Sequence, residues 1–254
     1  RMNRQQRTNT AEADPAPAAE DAAALFVAAV HHHQAGRLAE AEAGYRQVIA
    51  AKADFASAYA NLGVALQAQG AHAEAAEAFR TAIRLSPDYA EAHYNLGTVL
   101  ETLGRPEQAA AAYRTAIAAN PRLAEAHSNL GNVLRAQGRL DEAIACFRQA
   151  ITLEPNRPGL HYNLANALND GGALEEAATA YRAATALKPD HADARGNLAI
   201  VLMQQGRIDE AEAEFQRALA IAPDNTDIRS NWLFCLNYKV DATAEEVFAA
   251  HRGW

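Results

Sequence analysis

From Ala22 onward, apolar residues return at intervals of three and four, the stripe of an amphipathic helix, and that stripe itself recurs on a longer period. Leu62, Leu96, Leu130, Leu164 and Leu198 stand at one constant spacing, a period of thirty-four, and a small residue follows each: Gly63, Gly97, Gly131, Ala165, Ala199. Further along each period come a glycine (Gly70, Gly104, Gly138, Gly172, Gly206) and an alanine (Ala75, Ala109, Ala143, Ala177, Ala211). An aromatic (Phe79, Tyr113, Phe147, Tyr181, Phe215) and a closing proline (Pro87, Pro121, Pro155, Pro189, Pro223) complete it.

These columns predict a first helix of about four turns that stops at the glycine in a left-handed conformation. A second helix starts at once, with Pro106 in a first-turn slot where its missing N–H costs nothing, and the closing proline blocks continuation. Small residues at the Gly63 and Ala75 columns let the two backbones approach, and the aromatic fills the gap between neighbouring pairs. The expected product is a helical hairpin that stacks, so the fold class is all-α.

The pattern divides the chain into a leader, residues 1–21, six units of equal length (22–55, 56–89, 90–123, 124–157, 158–191, 192–225), and a partial seventh repeat with a further helix over 226–254. The leader is rich in Ala, Pro and acids without helical periodicity and is expected to be flexible. It begins at Arg1 rather than methionine, as a trimmed fragment would. The first unit departs from the pattern at Val27, His32 and Ala53, and a degenerate terminal unit suits the end of a stack.

One column resists a packing explanation. Asn61, Asn95, Asn129, Asn163, Asn197 and Asn231 precede the leucine slot, although asparagine is a mediocre helix former. Advancing about 100° per residue puts the column away from the packing surface of its own hairpin.

The columns resemble the tetratricopeptide repeat (TPR) over residues 22–225. That resemblance implies a right-handed superhelix, an α-α solenoid, with the asparagines in its concave groove. A carboxamide there can bond both the N–H and C=O of an extended peptide without reading its side chains. Helices stacked about 8 to 10 Å apart would meet roughly every third peptide residue. Asn132 and Asn166 lie on the same face, as do the acids Glu91, Glu125, Asp193 and Asp227. A competing reading has each asparagine bond the adjacent repeat, through groups such as Asn132 or Asn166, and stiffen the stack.

Charge and composition narrow the partners. With 23 Lys and Arg against 31 Asp and Glu, a net charge of −8, the chain lacks the cationic stripe that nucleic acid requires. RNA-reading pentatricopeptide arrays are therefore disfavoured, and armadillo and HEAT proteins use longer units. No apolar run approaches the roughly 20 residues that span a bilayer, so no membrane association is expected. Cys146 and Cys235 form no ligand pattern, which fits a reducing cytoplasmic compartment. Successive helical residues diverge by about 100°, so His31, His32 and His33 cannot all face one ion. His93, His127 and His161 recur on the core side of the first helix and are expected to be packing residues. No catalytic motif is present, and no catalytic residue, metal or cofactor is assigned.

After the sixth unit, Trp232, Leu233, Phe234, Cys235 and Leu236 form an unbroken apolar cluster that should need a cover. The "N-x-L-F-x-L-N-Y" of Asn231 to Tyr238, the "EEVFAAHR" of Glu245 to Arg252, and Trp254 resemble the junction before the catalytic region in bacterial relatives of protein O-linked N-acetylglucosamine transferase, glycosyltransferase family 41. That resemblance implies an arm recruiting extended segments of acceptor proteins for sugar transfer from a nucleotide sugar, with catalytic residues beyond Trp254. It also leaves open a homodimer through the convex face or the C-terminal apolar segment. The alternative is a free-standing TPR scaffold for complex assembly.

Overall fold

A computed structural model describes residues 19–239 and Arg252. The Glu245 to His251 part of the junction motif, Trp254 and most of the leader lie outside the described residues. The described residues form 13 α-helices and no strand, in two compact units.

The first unit, Arg1–Leu103, holds α1 (Ala19–Gln34), α2 (Leu38–Ala51), α3 (Ala56–Ala68), α4 (His72–Leu85) and α5 (Ala90–Thr102). The second, Gly104–Trp254, holds α6 (Pro106–Ala119), α7 (Ala124–Ala136), α8 (Leu140–Leu153), α9 (Pro158–Asp170) and α10 (Leu174–Leu187). It continues with α11 (Ala192–Gln204), α12 (Ile208–Ile221) and α13 (Thr226–Leu236). Within each unit consecutive helices pack on one another, as in a TPR solenoid. Odd-numbered helices are the first helices of hairpins and even-numbered ones the second.

The glycine column ends the first helices as predicted. Gly36, Gly70, Gly104, Gly138, Gly172 and Gly206 all have φ between 69° and 80°, a conformation that penalises any Cβ. Around Gly138, the N–H of Arg139 bonds the carbonyl of Leu134 and that of Gly138 bonds Arg135, the paired closure of a Schellman motif. Pro106 occupies the first turn of α6.

The aromatic column is the centre of the core: Tyr45, Phe79, Tyr113, Phe147, Tyr181 and Phe215 are buried to 1% exposure or less. Each such side chain withdraws apolar area worth about 1.5–3 kcal/mol relative to exposure. At two positions the small column also makes room for a ring. A Cβ on Gly63 would lie 2.7 Å from the Phe79 ring, and one on Gly131 2.7 Å from Phe147, so these glycines make room for the ring of their own hairpin.

Two expectations are corrected. His93, His127 and His161 are not simple packing residues: each ring Nε2 lies within 2.8–3.0 Å of the carbonyl oxygen of the closing proline six positions earlier (Pro87, Pro121, Pro155). Arg195 and Arg229 reach Pro189 and Pro223 in the same way. Where the proline is absent, at Ala53, the matching position holds Tyr59.

The apolar cluster of α13 is also largely covered by its own array. Leu233, Cys235 and Leu236 are buried, and Trp232 packs against the core formed by α9 to α12. Only Phe234 keeps half of its surface exposed, because a continuous apolar run conceals the helical phase that turns one residue outward.

On the second helices, arginines meet glutamates one unit on: Arg46 with Glu74, Arg114 with Glu142, Arg148 with Glu176, and Arg182 with Glu210. Being exposed, each contributes little to stability.

Candidate peptide-binding site

The asparagine column lies on the first helices, one residue per helix, with every carboxamide partly accessible: Asn61 on α3, Asn95 on α5, Asn129 on α7, Asn163 on α9, Asn197 on α11 and Asn231 on α13. What each carboxamide meets depends on the core aromatic of the preceding second helix, which stands at a constant sequence offset before it: Tyr45, Phe79, Tyr113, Phe147, Tyr181 and Phe215 in turn.

Where that aromatic is tyrosine, a hydroxyl stands near the asparagine. Asn129 Nδ2 lies 3.5 Å from Tyr113 Oη, and the Asn61 carboxamide acts on the Tyr45 phenol. Asn197 donates through Nδ2 to Tyr162 Oη and Asn166 Oδ1, both at 3.3 Å. Tyr181 O–H in turn donates to Asn166 Oδ1 at 2.6 Å. Burial, followed by neighbouring Tyr162, pushes the Tyr181 phenol well above its ordinary range, while the nearby Asn197 carboxamide opposes the shift. Burial likewise raises Tyr45 against the opposing Asn61 carboxamide.

Where the aromatic is phenylalanine (Phe79, Phe147, Phe215), no hydroxyl is offered. Among the described residues, the side chains of Asn95, Asn163 and Asn231 have no hydrogen-bonding partner. Asn132 is exposed on α7, whereas Asn166 is committed to Tyr181 and Asn197. Asn197 and Asn166 thus bond across adjacent repeats.

Asn197 and Asn231 line a cleft of about 170 Å³ together with Tyr162, Asp193, Ile200 and Asp227. Neither aspartate has an ion-pair partner among the described residues, so the cleft wall is acidic.

Three features escape a reading of the columns alone. The tyrosine/phenylalanine alternation is visible in the sequence once the aromatic slot is split by its hydroxyl. The proline–histidine tether is signalled by its constant spacing. The third is an aromatic pair, Phe234 and Tyr238, with ring centroids 5.1 Å apart in an edge-on arrangement and exposures of 50% and 55%. Phe234, three positions after Asn231, shares its side of α13, and Tyr238 follows in the turn that ends the helix.

The remaining groups separate from this site. His33 Nδ1 lies 3.2 Å from Tyr45 Oη and His32 Nδ1 accepts from Arg37, so the two rings point to different partners. No group of metal-ligating side chains occurs among the described residues. Burial raises the thiols of Cys146 and Cys235. No helix among the described residues is long and apolar enough to cross a membrane.

No curated protein matches the sequence. Solved structures share the fold at low identity. YrrB, a TPR protein with an unusual peptide-binding site, superposes with a TM-score of 0.68 at 22% identity, covering 74% of this chain and 96% of its own. Pseudomonas aeruginosa PilF gives 0.71 at 20%, covering 84% and 96%. MamA from Desulfovibrio magneticus RS-1 gives 0.63 at 19%, covering 67% and 97%. Residues 2–231 match the family of the Cilia and flagella-associated protein 70 C-terminal domain, a TPR family, and the chain belongs to it.

Proposed function

We propose that this chain is a protein-binding TPR scaffold that holds extended polypeptide by its main chain. The carrying observation, taken within each unit, is a partly accessible carboxamide on each first helix from α3 onward; among the described residues Asn95 in the first unit and Asn163 and Asn231 in the second have no intramolecular partner. Asparagine supplies both donor and acceptor to a peptide unit, so the grip tolerates sequence. At about 0.5–1.5 kcal/mol net per hydrogen bond, several contacts offset the cost of ordering a disordered segment. YrrB offers a precedent for peptide binding on this fold.

The test is selection of dodecapeptides from a random library on the purified chain, followed by binding measurements on a selected peptide and its N-methylated variants. Backbone N-methylation should abolish binding at specific positions while most side-chain alanine substitutions are tolerated. No selectable peptide, or indifference to N-methylation, overturns the reading.

A finer assignment, the acceptor-recruiting arm of a family 41 glycosyltransferase, rests on the sequence of the Asn231 to Tyr238 segment and the residues after it. Sequencing the gene past the Trp254 codon tests it. A following α/β region that binds a nucleotide sugar supports the arm. A stop codon there overturns it and leaves a free-standing scaffold, for which sedimentation would test a homodimer.

A further inference from the structure

We infer that the asparagine column is divided by function. In Gly104–Trp254, Asn163 and Asn231 hold the ligand main chain, while Asn129 and Asn197 serve the stack. The division rests on the peptide-binding reading above and adds which residues act and in what register.

The argument starts from donor capacity. A carboxamide has two N–H donors and one carbonyl oxygen, and gripping a peptide unit at both ends uses at least one donor and the acceptor. Asn197 directs Nδ2 at both Tyr162 and Asn166, leaving only its oxygen for a ligand. Asn129 directs Nδ2 at Tyr113. A ligand gripping Asn197 at both ends competes with bonds already made, and one gripping Asn129 shares Nδ2 with Tyr113, so the net gain in hydrogen bonding is smaller at both than at an uncommitted carboxamide. Asn163 and Asn231 follow Phe147 and Phe215, and their side chains have no internal bond to lose.

Register follows from spacing. Asn163 and Asn231 are two repeats apart, about 16–20 Å at roughly 8 to 10 Å per packed layer. An extended chain rising about 3.3 Å per residue covers that span in five or six residues. The grip therefore falls on every fifth or sixth peptide unit rather than every third.

The test uses the full chain and a dodecapeptide selected from the random library on the wild type. N163A/N231A should weaken binding about tenfold or more and leave the melting temperature almost unchanged. N129A/N197A should lower the melting temperature while changing affinity by less than about twofold. F147Y/F215Y adds the missing hydroxyls and should weaken binding without unfolding the chain. Equal weakening by the two asparagine pairs, or weakening confined to N129A/N197A, overturns the division while leaving peptide binding intact. Failure of the wild type to bind any selected peptide overturns both.

Discussion

His161 Nε2 lies 2.8 Å from the carbonyl oxygen of Pro155, joining the turn that closes one hairpin to the first helix of the next. The carbonyl sits in a non-helical turn and would otherwise rely on water. In this geometry the ring nitrogen is the donor, since the carbonyl can only accept. His161→Ala should therefore cost about 0.5–1.5 kcal/mol in urea unfolding. His161→Arg should retain most of it, because Arg195 makes the equivalent bond through Nε.

Gly138 has φ of 73°, and a Cβ built on it would meet nothing within 4 Å. Space is therefore no obstacle, and backbone strain alone decides the outcome. Gly138→Ala should destabilise by about 1–2 kcal/mol, and Gly138→Asn by less, because asparagine tolerates the left-handed region. Chemical denaturation of the two variants side by side distinguishes strain from lost packing.

Glu214 is among the least exposed acids of the second helices, with Glu212 beside it. Its pair with Arg195, at 2.9 Å, has side chains only 13% and 17% exposed, whereas the Arg148–Glu176 pair is mostly exposed. Glu214→Ala should cost about 1–3 kcal/mol, since Arg195 is left with the Pro189 carbonyl as its acceptor. Glu176→Ala should stay within about 0.5 kcal/mol. Unfolding in raised salt provides a second check: the contribution of the exposed pair should fade first.

Burial raises the phenols of Tyr181 and Tyr45, so the unfolded chain releases those protons before the folded one does. Their contribution is complete below the ordinary phenol value of about 10 and is lost as pH rises through the folded values. Urea midpoints should therefore fall between about pH 9.5 and pH 11. Tyr181→Phe should flatten that fall, separating it from the decline that the two raised thiols begin at lower pH.

The helices and their ends are legible in the sequence because each is written by a local rule repeated in every unit: apolar spacing, a left-handed glycine, a closing proline. Partners are harder to read, because a hydrogen bond depends on atoms brought together by stacking. Treating Phe147 and Tyr181 as one aromatic class preserves the core and conceals which asparagines are bonded. His161 similarly occupies a core-side slot while its ring nitrogen serves a backbone oxygen. In α13 the continuous apolar run hides the fact that Phe234 alone turns outward, beside Tyr238 and on the face of Asn231.

The alternating hydroxyl makes the effective module of this array a double one, two hairpins long, although the helices themselves count hairpins singly. Duplicating or losing a single hairpin would keep every helix in place yet throw the bonded and unbonded amides out of phase at the splice. Exchange of hairpins in pairs preserves the phase, so natural length variants of this chain should differ by even numbers of units.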